Sequence, residues 1–343
     1  VPRAVKYYKR RQRASFPALS MQKIAQAHLL CKFLFKRFHF RVLMRMRSIF
    51  GRSVVFENVL KGRKIAVAET FRSEFVDVDG LRLHYTEAGS GDPIVLLHDL
   101  HGGNSGRFHW SKNIGPLSEK FRVIALDLPN AGESGAVVFD KPRFQFMAEL
   151  LDTFLKLLDI ERAHLVGGGP GGGMATQLAT SFPDRVDRLV VAGAGLGKPL
   201  FYPGPTEGAM SSMKSAFEPS IDGLKAALQF LVSNPALITE EMVAECFENM
   251  QAHPEHVDAT RKIPFEFYIP SPPPFEEIEK IQAKTLVLWG REDRMGTIDA
   301  GLRYLHYIAD AQLHIFPNCG NWVPFEKADE FNRMVKAFLS DTL

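Results

Sequence analysis

Acidic residues are missing from the first 56 positions of this 343-residue chain, which carry fourteen Lys or Arg between Arg3 and Arg52 before Glu57 appears. The remainder holds 28 basic against 39 acidic residues, so an arm of formal charge +14 adjoins a body of −11, and the two need separate readings. Cysteine is nearly absent. Cys31, Cys246 and Cys319 are odd in number and far apart, which excludes a disulfide-built fold and a cysteine-based metal site and suits a reducing compartment. No run approaches the roughly 18 consecutive apolar residues of a membrane-spanning helix. With 45% hydrophobic and 24% charged residues, disorder as the whole answer is excluded as well.

The basic arm, residues 1–70, is Arg-rich and acid-free, the composition of mitochondrial import signals. Ile24, Cys31, Phe35, Phe38, Val42, Met46 and Ile49 recur at mostly three- and four-residue spacing, which predicts an amphipathic helical stripe free of Lys and Arg, although 33–43 also partly alternates as a strand would. Lys32, Lys36, Arg37, Arg41 and Arg45 fall outside the stripe. Three roles fit: an uncleaved import signal, a cationic contact to RNA or anionic lipid, or a helix docked on a protein partner. Phe33, Phe35, Phe38 and Phe40 argue against a freely solvated tail. The expected partner-binding residues are Lys32, Phe35, Lys36, Arg37, Phe38, Arg41, Val42, Arg45 and Met46. The expected partners are protein subunits, anionic lipid such as cardiolipin, and then rRNA.

From about residue 71 short apolar runs alternate with helical periodicities, which predicts a mostly parallel sheet flanked by helices. Strands are expected at 75–78, 83–85, 94–97, 123–126, 164–166, 189–192, 285–288 and 313–316, and helices at about 142–159, 171–182 and 325–340. Between residue 195 and about 275 the strand runs stop, and a helical stretch with Pro-rich edges intervenes. The expected division is therefore an arm (1–70), a first part of an α/β core (71–195), an inserted helical cap (196–275) and a second part of the core (276–343).

The run Gly167-Gly168-Gly169-Pro170-Gly171-Gly172-Gly173 follows an expected strand and opens a helix. A Walker-type phosphate loop would need a Lys-Ser/Thr pair after the glycines, and a dinucleotide fingerprint would need an acid at the end of a following strand; neither is present. No cofactor and no metal are expected. The other stock reading is a nucleophile elbow. Ordered landmarks accompany it: Val78-Asp79-Gly80, Tyr85-Thr86-Glu87-Ala88-Gly89, Leu96-Leu97-His98, Asp127-Leu128-Pro129 with Gly132 and Ser134, Phe182-Pro183-Asp184-Arg185-Val186, Trp289 through Arg294, and Cys319-Gly320-Asn321-Trp322. Over roughly 270 residues the chain resembles the α/β-hydrolase fold, most of all the meta-cleavage product hydrolases, which cleave carbon–carbon bonds.

The resemblance implies a catalytic Ser at the third elbow position, a later acid and a His near the C-terminus. Asp293 fits the acid, but Gly169 stands at the Ser position and Asn321 at the His position. Glycine has no oxygen to attack a carbonyl, and an amide has no useful basicity near pH 7. Pro170, at the position whose backbone N–H should donate to the oxyanion, has none, and removing one such donor costs on the order of 100-fold or more in turnover. Asp99-Leu100-His101 puts side chains where the family keeps a glycine-rich oxyanion loop, and Cys246 stands where those enzymes carry a substrate-binding Arg. His98, His101 and His109 lie where a relocated base could form a pair with Asp293, and Gly169 suits the positive φ of an elbow. The expectation is a catalytically inactive hydrolase-like protein, a pseudoenzyme, serving as an accessory subunit of a mitochondrial assembly at the matrix or inner-membrane surface, a respiratory complex before a ribosome. A cytoplasmic site is the alternative location. The alternative functions are an active hydrolase of unusual mechanism and a small-ligand-binding pseudo-hydrolase.

Overall fold

A computed structural model describes residues 71–194, 206–268 and 275–343. The arm and all its expected contacts, Lys32 through Met46, lie outside the described residues. Eight strands form one sheet: β1 (Arg72–Val78), β2 (Leu81–Ala88), β3 (Pro93–Leu97), β4 (Arg122–Leu126), β5 (Ala163–Gly168), β6 (Val186–Ala192), β7 (Lys284–Gly290) and β8 (Ala311–Phe316). Their spatial order is β1-β2-β4-β3-β5-β6-β7-β8. β1 and β2 pair antiparallel, as do β2 and β4, and every later pairing is parallel. Each expected strand lies inside an observed one.

The helices of eight residues or more are α1 (Arg143–Leu157), α2 (Pro170–Ser181), α3 (Glu207–Phe217), α4 (Ile221–Leu231), α5 (Glu240–Ala252), α6 (Pro254–Lys262), α7 (Ile298–Tyr307) and α8 (Ala328–Leu339). The central strands read as unbroken apolar runs because both sheet faces are covered. In β3, Val95 and Leu97 join Phe144 and Phe154 of α1, Leu178 of α2 and Tyr304 of α7 in one core. Ile94 and Leu96 face the other way, toward Trp110, Phe331, Val335 and Phe338. Helices α3 to α6 follow β6, and a third cluster fastens them to the sheet domain, with Leu224, Leu228, Val243 and Cys246 against Phe108, Trp322 and Phe325. Among the described residues no helix is long and apolar enough to cross a membrane.

Strand order reverses at β3 and β5, and in open α/β sheets ligands bind at the C-terminal ends of strands at such a point. The loops leaving that edge include 98–105 after β3, Gly169 after β5, 291–297 after β7 and 317–322 after β8. The β3 loop is clamped from above by α5. Gly103 has φ +69°, and a Cβ there would land on the backbone carbonyl of Cys246, while Asn249 Nδ2 donates to Gly103 O at 3.2 Å. Replacing Gly103→Ala therefore forces both a left-handed alanine and a backbone displacement. A loss of at least ~2 kcal/mol of stability is expected in urea melts; an unchanged midpoint would mean that the clamp is loose.

Candidate active site

The elbow forms as the glycine run demands. Gly169 takes φ +51° and ψ −129° between β5 and α2, a conformation open to glycine at little cost, and its N–H donates to Ala192 O at 2.9 Å. Pro170 occupies the first turn of α2, where a missing N–H leaves no intrahelical bond unmade. The position that would bear a nucleophile is filled from another loop. A Cβ built on Gly169 would stand 3.0 Å from Asp99 Cγ, 3.1 Å from Oδ1 and 3.2 Å from Oδ2. The Asp99 carboxylate thus packs against the place where a side chain on Gly169 would begin.

Asp99 is 3% exposed. Leu100 N–H donates to its Oδ1 at 2.6 Å, and its main-chain oxygen accepts from Asn104 Nδ2 and His98 Nδ1, each at 2.6 Å. Burial pushes the carboxyl up to about 6, against the lowering effect of the Leu100 N–H. The loop is anchored further along, where Gly106 N–H donates to Asp127 Oδ1 at 2.7 Å and Asp127 Oδ2 meets His84 Nδ1 at 2.7 Å.

Asp293 and Asn321 meet at the same edge. Asn321 Nδ2 donates to Asp293 Oδ2 at 2.9 Å and to Gly193 O at 3.0 Å. Asp293 Oδ1 accepts from the N–H groups of Met295 at 2.7 Å and Gly296 at 3.0 Å. Although the residue keeps some exposed surface, burial of the carboxyl raises it to about 7; the charge of Asp99 adds to the rise and the three donors oppose it. The amide therefore holds the acid as a histidine N–H would, without a titrating nitrogen.

The three histidines differ. His98 is structural: Nδ1 donates to Asp99 O, and Nε2 accepts from Leu128 N–H at 3.0 Å. His101 meets Gly102 O through Nδ1 at 3.2 Å and leaves Nε2 without a partner, and burial lowers it to about 4. His109 stacks on Trp322 at 5.2 Å, has no partner at either nitrogen, and abuts the elbow, its Nε2 2.6 Å from where a Gly168 Cβ would be. Burial holds it well below its ordinary value. Asp293 is engaged by Met295, Gly296 and Asn321 and not by a histidine, so the relocated His–Asp pair is not formed. Cys246 is wholly buried in the third cluster, and burial raises its thiol far above the ordinary range.

A cavity of about 70 Å³ opens on the cap side of the β3 loop, lined among others by His101, Phe139, Arg143, Met250 and His256. It lies beside the elbow: Asp99, Gly169 and Asn321 are not in its wall, but Leu100 and His101 are.

Residues 92–328 match the alpha/beta hydrolase fold family, and the chain belongs to that family. It is 37% identical over 289 residues to the 2-hydroxy-6-oxo-6-phenylhexa-2,4-dienoate hydrolase of Burkholderia cepacia, covering 80% of this chain and 99% of that one. It is 38% identical over 287 residues to the 2-hydroxy-6-oxononadienedioate/2-hydroxy-6-oxononatrienedioate hydrolase of Comamonas testosteroni, covering 80% and 98%. Among solved structures, the meta-cleavage product hydrolase of Pseudomonas fluorescens IP01, in a variant complexed with acetates, superimposes with a TM-score of 0.71 at 28% identity over 79% of this chain and 98% of that one.

These relatives correct two expectations. The expectation of an inactive structural subunit is overturned by the relatives that match across almost their whole length, which are named hydrolases. The pseudoenzyme reading judged Gly169, Pro170 and Asn321 position by position, whereas Asp99 reaches the vacant place from a different loop. The mitochondrial location is corrected too, since the relatives come from Burkholderia, Comamonas and Escherichia coli. An Arg-rich composition suits any anionic surface and does not by itself specify import.

Asp99 carries a stability signature. Its folded value lies above the unfolded one near 3.8, so the folded state holds the extra proton and Asp99 stabilises most below pH 4; that stability is lost as pH rises through about 6. Asp99→Asn keeps the Leu100 hydrogen bond and has no charge to bury. It is expected to gain ~2–3 kcal/mol relative to wild type between pH 4.5 and 7.5 in urea melts. A difference constant with pH would mean that the carboxylate is not buried as described.

Proposed function

We propose that this chain hydrolyses a carbon–carbon bond in 2-hydroxy-6-oxo-dienoates, with Asp99 as general base in place of the missing serine. The observation that carries the reading is the Asp99 carboxylate lying 3.0 Å from the point at which a side chain would leave Gly169. The substrate class is supported by the names of the relatives in Burkholderia and Comamonas.

In such a substrate the enol first ketonises: the C2 hydroxyl loses a proton and C5 gains one. C5 then becomes a leaving carbon conjugated through C4 and C3 to the C2 carbonyl. Asp99 takes a proton from water as the water oxygen bonds to the C6 carbonyl carbon. The C5–C6 bond breaks, its electron pair passes to the C2 oxygen, and the proton held by Asp99 returns there. A carboxylic acid and a 2-hydroxydienoate leave, with nothing oxidised or reduced. A base with a value near 6 suits this task, because it is ionised at neutral pH yet still holds a proton long enough to return it. The neutral Asn321 amide keeps Asp293 turned toward the β7 loop, which leaves Asp99 as the carboxylate against the elbow.

Turnover of 2-hydroxy-6-oxo-6-phenylhexa-2,4-dienoate, followed by loss of the dienol chromophore, is expected to rise through pH about 6. Asp99→Asn should lower it ~10²–10⁴-fold and abolish that limb. Wild-type turnover in Asp99→Asn would refute the assignment. Gly169→Ser offers a second check. Its side chain would displace the Asp99 carboxylate without gaining a base, because Asn321 cannot accept a proton. Turnover is expected to fall, whereas a rise would show that the elbow still supports serine chemistry.

A further inference from the structure

The loop into α6 reads His253-Pro254-Glu255-His256. One ligand atom from each of His253, Glu255 and His256 lies within 4.8 Å of the others, at the rim of the cavity described above. His256 Nε2 donates to Ser134 O at 2.7 Å, which fixes the proton on that nitrogen and leaves Nδ1 as a lone-pair donor. His253 faces a carboxylate at each nitrogen, Glu255 Oε1 at 3.1 Å from Nδ1 and Glu133 Oε1 at 3.5 Å from Nε2. A neutral imidazole has one N–H and cannot satisfy two acceptors. A cation between His253 Nδ1 and Glu255 resolves the conflict and leaves Nε2–H for Glu133.

We infer that His253, Glu255 and His256 form a three-ligand site for a divalent transition metal of the zinc type, pinning the cap to the loop that carries Glu133 and Ser134. Two imidazole nitrogens and one carboxylate are a donor set that zinc favours, with a fourth position open. Metal-ligating histidines characteristically give their other N–H to a carboxylate or backbone carbonyl. Here both acceptors come from adjacent residues of one loop, Glu133 and Ser134. The two rings are stacked 4.9 Å apart at 13°. Bonds of about 2.0–2.1 Å require donor atoms roughly 3.3 Å apart, so His253, the more exposed ring, has to turn toward His256 on binding. Glu255 is exposed and follows without disturbing the core.

The test uses the untagged full chain, stripped with a chelator and titrated with Zn²⁺ in a calorimeter and in thermal melts. One Zn²⁺ per chain and a rise in Tm are expected, with no rise for Mg²⁺. The double variant His253→Gln/Glu255→Gln, both positions being outside the core, should lose the site by more than ~100-fold in affinity. His306→Gln, an exposed histidine elsewhere, should leave it intact. If Zn²⁺ shows no saturable one-to-one binding, or if the double variant binds as well as wild type, the site is overturned.

Discussion

A carboxylate pressed against bare backbone is the constraint on which the rest of this site depends. Asp99 packs against Gly169, where a Cβ would crowd its carboxyl at 3.0–3.2 Å. It stays because Leu100 N–H, Asn104 and His98 hold the turn that carries it. That turn is fixed at its far end by Asp127 and from above by the Gly103–Asn249 contact with α5. Sheet, loop and cap are thus coupled through one short segment. Burial in that segment moves the carboxyl into the range where proton exchange at neutral pH is possible.

Asp293 and Asn321 hold neighbouring loops together at the same edge. The amide donates both of its hydrogens, one to the carboxylate and one to Gly193 O, tying the loops after β7, β8 and β6 together. The cap is fastened nearby, with Trp322 N–H donating to Leu231 O at 2.9 Å and Ser233 Oγ donating to Glu326 Oε2 at 2.7 Å. Burial raises both acids, and the charge of Asp99 further disfavours ionisation of Asp293. Burial lowers His101 and His109, so neither brings a positive charge to the carboxyls at neutral pH.

The sheet was legible in the sequence because β3 to β7 are covered on both faces, and burial of that kind writes itself as short apolar runs between turns. The elbow was legible for the same local reason: seven residues of glycine and proline after a strand have few uses. Gly169, Asp293 and Asn321 could be placed by their order along the chain. The reach of Asp99 to Gly169 could not, since it depends on the path of a loop 70 positions upstream that no local pattern encodes. In the sequence Asp99 reads as an obstruction; in the fold its carboxyl lies against the elbow. The His253–Glu255–His256 cluster had a signal in its spacing, but the partners that orient it, Glu133 and Ser134, lie more than a hundred residues away. Activity and location were not legible, because the loop path that brings Asp99 against the elbow leaves no local pattern and an Arg-rich arm does not by itself specify import.

The central claim is that a carboxylate activates water at an elbow without a nucleophile. It is tested most directly by turning over a 2-hydroxy-6-oxo-dienoate in ¹⁸O-water and weighing both the released acid and the peptide that contains Asp99. General-base chemistry predicts one ¹⁸O in the product carboxylate and none in the protein, with no acyl adduct at any stage. Label in Asp99, or an acyl group trapped on another side chain, would contradict the account and identify the nucleophile that it denies.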